Sequence, residues 1–452
     1  MAGSRTRFYL ICAGVWLYAA DMLVTATIAP ALVADIGGVA YINWTLSLYE
    51  VGSIIAGATA AALCRRFGVR RVLLFAAQLY GVGCAVAALA PDMGVLLAGR
   101  TIQGLGGGML LSLCYVATYE WFPQSMWNRL FGIVAIIWGA GSLLGPLIGA
   151  AFAARLWRGC FWLFALQAVI VCLMALRWLP GDAPAAREPQ RWPLLPLLIL
   201  SAAALLINQA GIIAKPAMAA AGCAVGIVLL YIAARFDRVG VARLLPRNLL
   251  QVRHPLGAGL MMVFLLSAAT TGYWTYGPLI LKVLFATDPL VSGYILAAEA
   301  LAWSLATVAV AKLPPTAEVH LIRIGVCTVA AGAAGFVLAV PSGSLPGILA
   351  CTLLQGGGFG LCWPSIAVRC VRFADDAERA LASAAPSTIQ RIGYAVGTAA
   401  AGIAANLSGL AEGISAAAAK AAAFWVFAAF IPVLSLALAC AFRFTHPRAA
   451  GR

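Results

Sequence analysis

Charged residues are scarce in this chain. Of 452 residues, only 10% are Asp, Glu, Lys or Arg, whereas an ordinary soluble domain has about 25%. A water-soluble globule of this length needs polar side chains over its surface, so the composition excludes one. With 63% hydrophobic residues, the chain is also too apolar to remain intrinsically disordered. The sequence therefore predicts an integral membrane protein.

Residues that build metal sites and disulfide frameworks are few and dispersed. The chain has three His, and its twelve Cys occur singly, without a CxxC pair or a Cys/His cluster. Neither a zinc site nor a disulfide framework is therefore indicated. The phosphate-binding pattern GxxxxGK[ST] does not occur, which excludes an ATP-driven pump within this one chain. No cofactor, metal or enzymatic activity is expected.

Apolar runs long enough to cross a bilayer recur along the whole chain. A bilayer core about 30 Å thick requires about 20 apolar residues in a helix, and we predict fourteen such spans, numbered here in chain order. They cover residues 8–29, 42–63, 72–90, 95–117, 130–153, 160–179, 194–213, 217–235, 256–281, 290–312, 320–340, 346–368, 381–406 and 420–442. The fold class expected is all-α, with fourteen transmembrane helices.

Basic residues outnumber acidic ones by 30 to 15, which gives a net charge of +15. An even number of spans puts both termini on one side of the membrane. That side then carries 23 Lys and Arg, against 5 on the other side. This asymmetry is the positive-inside pattern and predicts a plasma (inner) membrane protein with both termini cytoplasmic. The positive charge is thereby explained without a nucleic-acid partner.

Ionisable residues away from the ends of the predicted spans each need a reason, because a charge at the bilayer centre costs about 2.5–3.5 kcal/mol or more. Three are acidic (Asp21, Glu50, Glu299) and two are basic (Arg100, Arg391). A low-dielectric site favours the neutral form of a carboxyl group, so the acids are candidate proton-coupling sites, with Arg100 as their partner. The alternative is an internal ion pair, for example with Arg100 or Arg391. Gln103, Gln355 and Gln390 add neutral polar groups.

Aromatic residues mark candidate walls of a binding cavity. Tyr273, Trp274 and Tyr276 precede Gly277-Pro278, and Trp363 precedes Pro364. Such rings suit amphipathic or cationic cargo, together with the polar groups Gln103, Gln355, Gln390 and Arg391, although an interfacial aromatic belt remains the alternative.

Two Gln-Gly segments indicate an internal repeat. Gln103 is followed by Gly-Leu-Gly-Gly-Gly, and Gln355 by Gly-Gly-Gly-Phe-Gly. Segments of this kind at matching positions are typical of transporters with duplicated halves. They are equally explained by close helix packing through small residues.

Four motifs together resemble the fourteen-span drug:proton antiporters of the major facilitator superfamily. Span 4 contains Arg100-x2-Gln103-Gly104, span 1 has Asp21 nine residues before Pro30, and Trp157-Arg158 precedes Phe161. The most specific motif is the antiporter motif of span 5, complete except that Ala150 replaces a frequent final Gly. Its residues are Gly132, Gly141, Gly145, Pro146 and Gly149.

The gating loop between spans 2 and 3 departs from this family's pattern. It keeps Arg66, Gly68 and Arg70, but Arg65 replaces the family's Asp. The resemblance assigns this loop to latching one transport state, and without the Asp we hypothesise another partner for its Arg cluster. The candidates are Asp375, Asp376 and Glu378.

The resemblance implies two pseudo-symmetric six-helix bundles, residues 1–180 and 256–452. Between them, 181–255 would hold two extra spans and a cytoplasmic amphipathic helix. The implied function is proton-coupled export of small amphipathic compounds, of the multidrug-efflux type, by alternating access. Its partners would be the cargo, protons and membrane lipid, and the protein would be monomeric. Alternatives are a dedicated metabolite or siderophore exporter, a proton-driven importer, and a non-transporting membrane enzyme or receptor.

Overall fold

The protein was analysed as a computed structural model. It describes residues 2–38, 41, 44–153, 156–179, 194–210, 213, 215–240, 243–311, 313–375, 378–410 and 415–446. Within these residues the regular structure is helical, without strands. The helices are α1 Ala2–Ile36, α2 Trp44–Phe67, α3 Val69–Ala88, α4 Met93–Trp121, α5 Gln124–Ala153, α6 Trp157–Trp178, α7 Leu194–Ala210, α8 Pro216–Val239, α9 Pro255–Phe285, α10 Pro289–Val310, α11 Glu318–Ala339, α12 Leu345–Arg372, α13 Arg379–Ala405, α14 Ala416–Ala428 and α15 Ile431–Phe444.

Local sequence signals fix several helix starts. The Asp92 carboxylate accepts a hydrogen bond from the Val95 amide at the start of α4, and the hydroxyl oxygens of Ser344 and Ser415 cap α12 and α14 in the same way. Such caps satisfy amide groups that have no partner inside the helix. Pro216 and Pro255 occupy first-turn positions of α8 and α9, where a missing N–H costs nothing.

The helices follow the predicted spans closely. Nine segments among the described residues are long and apolar enough to cross a membrane, and they indicate a multi-pass membrane protein. Helices α2, α4 and α13 do not meet that criterion, and they carry Glu50, Arg100 and Arg391. The total of fourteen spans and the two-bundle arrangement stay predictions. The last predicted span is two helices. A turn at Ala429 and Phe430 separates them, and α15 then begins at Ile431 with Pro432 in its first turn.

Unit 1 comprises Met1–Trp192 and contains α1 to α6. Small residues allow its helices to approach closely. A Cβ added at Gly83 would collide with the backbone of Gln103, and one at Gly106 would collide with the backbone of Tyr80. These contacts join α3 to α4, and α4 packs on α2 in the same manner through Gly104 and Tyr49. The packing depends on backbone proximity, as is usual where lipid removes the hydrophobic driving force.

Unit 2 comprises Pro193–Arg452 and contains α7 to α15. The helix pair α7–α8 belongs to this unit and packs against α13, where Ile207 contacts Val396 and Ala399 in a buried cluster. The Asn406 side-chain amide also donates to the carbonyl of Ile213, just beyond α7. The predicted domain boundaries at 180 and 255 remain predictions.

The predicted amphipathic helix between spans 8 and 9 is wrong for the residues described there. After α8 ends at Val239, residues 243–254 form turns. The Asp237 carboxylate accepts hydrogen bonds from the amides of Leu244 (2.7 Å) and Leu245 (2.8 Å). A helix would direct these two amides along its own axis, so the carboxylate stabilises a folded loop instead.

Candidate functional site

An ion pair lies buried between α1 and α4 in unit 1. Arg100 Nη1 is 2.8 Å from Asp21 Oδ2, and both side chains are fully inaccessible. Gln103, one turn after Arg100, accepts a hydrogen bond from Arg100 Nη1 at 2.7 Å and donates one to Asp21 Oδ1 at 2.9 Å. The three residues therefore form one closed network, in which the amide oxygen and the carboxylate share the guanidinium.

The rest of the Arg100 guanidinium faces α2. Its Nε donates to the carbonyl of Thr45 at 2.9 Å, and its Cζ lies 4.3 Å from the centre of the Tyr49 ring. Its Nη2 and the Tyr49 hydroxyl have no hydrogen-bond partner among the described residues. A buried guanidinium is costly unless it is paired and hydrogen-bonded, and Asp21, Gln103 and the Tyr49 ring meet that requirement.

Glu50 lies next to this network on α2. The Tyr18 hydroxyl donates to Glu50 Oε1 at 2.9 Å, and the Tyr18 ring packs between the rings of Tyr49 and Trp138. Glu50 is only partly buried. Two of the predicted acids therefore lie within one helical unit, one in an ion pair and one bound to a phenol.

Glu299 belongs to a separate polar cluster in unit 2. Gln355 Nε2 donates to Glu299 Oε1 at 2.7 Å, and the Trp274 indole N–H donates to Glu299 Oε2. The side chain of Glu299 is 7% exposed. Within the part of the chain described, no Lys, Arg or His nitrogen lies within 4.0 Å of this carboxylate. Its direct partners are neutral donors, in contrast to those of Asp21.

Aromatic rings extend this cluster along two helices. Trp303, one turn after Glu299 on α10, stacks on Phe359 with ring centres 4.7 Å apart and meets Trp363 edge-on at 5.7 Å. The sequence analysis missed Trp303, although its spacing of four residues places it on the same helix face as Glu299.

The three predicted aromatic residues of α9 differ in burial and in contacts. Tyr273 is buried and stacks on Phe336 of α11 with centres 4.9 Å apart, which places it in the packed interior of unit 2. Trp274 is 37% exposed, and Tyr276 is half-buried.

Equivalent contacts recur in the two units. The glycine after each Gln packs on the backbone of a neighbouring helix, Gly104 on Tyr49 and Gly356 on Glu299. The next glycine one turn on does the same, Gly108 on Ser53 and Gly360 on Trp303. The Gln-Gly segments are therefore packing elements at corresponding positions, and each Gln holds a carboxylate.

The glycines of the predicted antiporter motif line the contact between α5 and α1. Cβ atoms added at Gly141, Gly145 and Gly149 would lie 3.3, 2.7 and 2.6 Å from the Cβ atoms of Ala19, Leu23 and Thr27. These α1 residues flank Asp21. Gly132 and Pro146 also lie in α5, but their surroundings fall outside the described part.

Because the α1–α5 contact has no spare room, we expect Gly145→Val to destabilise the protein by about 1–3 kcal/mol through overpacking. The new side chain would press on Leu23, two residues from Asp21. Thermal unfolding of purified protein in detergent measures the loss. The matched control is Leu144→Val, because Leu144 is 42% exposed. Equal melting temperatures for the two variants would contradict the packing described.

The remaining candidates make the following contacts among the described residues. Gln390 donates to the Tyr394 hydroxyl at 3.1 Å, one turn away on α13, and Arg391 beside it is half-buried. At the end of α2, Arg66 lies over the Phe67 ring. Gly68, which separates α2 from α3, has a φ of 86° that favours glycine. Arg70 donates to the carbonyl of Leu176 at 2.9 Å.

Glu378, one of the three acids hypothesised to pair with the Arg cluster between α2 and α3, has partners within unit 2. Its carboxylate forms a salt bridge with Arg243 and accepts a hydrogen bond from the Arg247 amide. The pairing with the Arg cluster stays a hypothesis. The side chain of Arg65 and the whole of Asp376 lie outside the described residues, and Asp375 is exposed.

Two further ion-pair groups lie at helix ends. Trp157 and Arg158, which begin α6, both bind Asp35 near the end of α1, and these donors hold the pKa of the Asp35 carboxyl below its usual range. In unit 2, Glu318 pairs with Arg369 at 2.8 Å and with Arg372 at 2.9 Å. The sequence analysis did not predict this pairing, whose partners are about 50 residues apart. Groups of three or more residues able to hold a metal ion are absent from the described residues.

Comparison with known proteins agrees with this architecture. The family model of the Major Facilitator Superfamily matches residues 11–398. The chain belongs to the Major Facilitator Superfamily. A Mycobacterium tuberculosis relative named "Probable multidrug-efflux transporter" is 31% identical to it over 97% of this chain and 94% of the relative. A second protein of that organism, named "Multidrug resistance protein B homolog", is 26% identical over 87% of this chain and 75% of its own length.

Solved structures of the superfamily share the fold. The human organic anion transporter MFSD10 superposes with a TM-score of 0.68 at 15% identity, over 97% of this chain and 99% of that one. A D-xylose-proton symporter gives 0.66 at 17% identity, over 99% of both chains. As a Major Facilitator Superfamily protein, the chain is a multi-pass membrane transporter and not an enzyme. The resemblance predicted from the motifs is confirmed.

Proposed function

We propose that the protein exports small amphipathic compounds in exchange for protons, as a multidrug-efflux transporter working by alternating access. The observation that carries this proposal is the contrast between the two buried carboxylates, Asp21 bound to Arg100 and Glu299 bound to neutral donors. The relative that is 31% identical is named a probable multidrug-efflux transporter, which supports small amphipathic compounds as the cargo.

The contrast assigns different tasks to the two acids. Protonation of Asp21 would leave the Arg100 guanidinium buried without a counter-charge, which is strongly unfavourable. Glu299 has no such partner, so a proton there removes an unpaired buried charge rather than creating one. Glu299 is therefore the proton carrier that we propose, with Asp21, Arg100 and Gln103 as a fixed polar support. Glu50, partly buried and bound to Tyr18, is the second candidate for proton exchange.

The test is transport in proteoliposomes with an imposed pH gradient. We expect uptake of cargo against its gradient into vesicles that are acidic inside, because outward movement of protons drives the opposite movement of cargo. The panel should include amphipathic drugs and iron-chelating metabolites, which separates a multidrug exporter from a dedicated one. Collapsing the gradient with nigericin is the control. Cargo movement that is unchanged by nigericin would refute proton coupling.

The orientation that we propose has both termini in the cytoplasm of a cell bounded by a plasma (inner) membrane. It rests on the excess of basic residues on the terminal side of the predicted spans. A green fluorescent protein fused after Arg452 should fluoresce when expressed in a bacterium, since this reporter folds in the cytoplasm and not after export through the general secretory route. An alkaline phosphatase fusion at the same point should be inactive, and the reverse pair of signals would contradict the orientation.

A further inference from the structure

The imidazole of His254 caps the start of α9. Its Nδ1 accepts a hydrogen bond from the Leu256 amide at 3.2 Å, which satisfies one of the amide groups that have no partner inside the helix. His254 directly precedes Pro255 and lies outside the apolar span that α9 forms. Because the hydrogen bond needs a lone pair on Nδ1, the capping ring is neutral and carries its proton on Nε2.

The capped turn joins several elements at one end of unit 2. A Cβ added at Gly257 would collide with the backbone carbonyls of Asn248 and Gln251, so α9 packs directly on the preceding loop. Gly259 packs on the ring of Phe444 at the end of α15. The same loop is held at its other end by the carboxylates on α8 and before α13. A change at the cap therefore reaches the loop, α9 and α15.

Few charged groups surround the imidazole. The first turn of α9, residues 255–259, carries no titratable side chain. In the loop, the side-chain amide of Asn248 lies 3.5 Å from Nε2, and Arg253 is exposed. From the turn after α12, the negative charge of Asp375 favours the protonated ring, while Glu378 is bound to partners in the loop. Asp375 is therefore the acid that a charged His254 meets.

Protonation of His254 is incompatible with the cap. Nδ1 then carries a hydrogen and can only donate, and the positive ring faces the positive end of the helix dipole. Burial lowers the pKa of the His254 imidazole below its usual range, and the Asp375 carboxylate opposes this shift. Because the opened turn binds the proton more readily than the closed one, acid favours opening. The cap is complete above about pH 6.5, the unperturbed value, and is lost as the pH falls below it.

We propose that His254 is a pH-sensitive cap, which closes the first turn of α9 when neutral and, when protonated, releases this turn and pairs with Asp375. The proposed orientation puts this end of unit 2 in the cytoplasm, where proton-driven export delivers its protons. Alternating access requires packed bundles that move as bodies, so acid that loosens α9 slows transport. This regulation rests on the proposed function, whereas the cap itself does not.

Hydrogen exchange followed by mass spectrometry tests the cap in the purified full-length protein in detergent. Protection factors of the amides of residues 256–258 are compared at about pH 7.5 and about pH 5.5, one unit on either side of the unperturbed histidine value. Protection factors already contain the correction for intrinsic exchange at each pH. We expect about fivefold lower protection in acid, the usual effect of a lost helix cap. Equal protection at both pH values would overturn the proposal.

Four variants assign the effect to named groups. His254→Ala should show low protection at both pH values, and His254→Asn should show high protection at both, because Asn caps helices without titrating. Asp375→Asn should move the loss of protection to lower pH, since the charged ring loses its partner. The matched control is His320→Asn, an exposed histidine of α11, which should respond as the parent does. A parental pH response in His254→Asn would refute the cap, and an unchanged midpoint in Asp375→Asn would refute the pairing.

The regulatory role is measured by counterflow of a neutral cargo in proteoliposomes with the same pH on both sides. The parent and His254→Asn should exchange cargo equally fast at about pH 7.5. Helix ends open with free energies near zero, so fivefold more opening lowers the closed fraction by about twofold. The parent should therefore be about twofold slower than His254→Asn at about pH 5.5. Equal rates of the two proteins in acid would overturn the regulation.

Two comparisons complete the test. Gel filtration at both pH values excludes variants that fail to fold, and His254→Asn keeps the test decisive if His254→Ala does not fold. Exchange and export are separate readouts. A pH-dependent cap without proton-driven export would refute only the proposed function, and proton-driven export with a cap that ignores pH would refute only this inference.

Discussion

Asp21→Asn should destabilise the folded protein by about 3–5 kcal/mol, the usual cost of removing one partner from a buried ion pair. Arg100 would remain fully inaccessible, with Gln103, the Thr45 carbonyl and the Tyr49 ring around it but no opposite charge. The sequence alone predicts a different result for this variant, namely lost proton-driven efflux in a protein that stays folded. The ion pair makes stability the first quantity to change.

The measurement is thermal unfolding in detergent followed with a thiol-reactive dye. The chain suits this method because most of its twelve free Cys are buried and become accessible only on unfolding. The double variant Asp21→Asn/Arg100→Met should recover most of the lost stability, because replacement of both partners removes the uncompensated charge. A single variant as stable as the parent would show that the pair contributes little.

The same double variant separates structural from functional roles. If Asp21 and Arg100 form only a fixed support, proton-driven export should return together with stability. Transport that stays absent in a stable double variant would assign proton handling to this pair and contradict the division of tasks proposed for Asp21 and Glu299.

Helices were predictable because the bilayer imposes one simple requirement on the sequence. Backbone groups in lipid must be hydrogen-bonded within the segment, so a run of about 20 apolar residues forms a helix whatever its neighbours are. Each predicted span except the last falls on one helix, and the last is divided by the turn at Ala429 and Phe430. The predicted amphipathic helix lies outside the spans, where that requirement does not apply. Residues 243–254 show Arg and Leu at helical spacing, but Asp237 binds two of their amides and holds a turn.

The contacts between side chains were less predictable than the helices. Asp21 and Arg100 were both singled out for their cost in lipid, but the choice between proton site and ion pair depended on the rotation of α1 against α4. That rotation depends on close contacts such as that of Gly14 on α1 with Cys114 on α4, which composition does not reveal. Because such packing contacts cannot be inferred from composition, the sequence analysis also missed Tyr49, Trp303 and the Glu318–Arg369 pair. For Trp303, a usable signal was present in its spacing of four residues from Glu299.

Glu299→Gln should abolish export driven by a pH gradient while leaving the protein folded. The substitution keeps the size of the side chain and removes its charge. Gln355 and Trp274 bind separate oxygens of the carboxylate, so the one oxygen of the new amide keeps one of these two hydrogen bonds. No basic residue loses a partner among the described residues, so the stability cost expected for Asp21→Asn does not arise. A carrier with a permanently neutral residue here loads no proton and gains no energy from the gradient.

Counterflow distinguishes a lost proton step from a broken transporter. In proteoliposomes without a pH gradient, exchange of labelled for unlabelled neutral cargo needs only the cargo site and alternating access, so Glu299→Gln should retain it. A neutral cargo is used because its binding does not depend on the charge that the substitution removes. Asp92→Asn is the matched control: Asp92 is an exposed carboxylate that caps α4, and Asn caps helices equally well. Parental gradient-driven export by Glu299→Gln would remove Glu299 from the proton path and leave Glu50 as the remaining candidate in the described clusters.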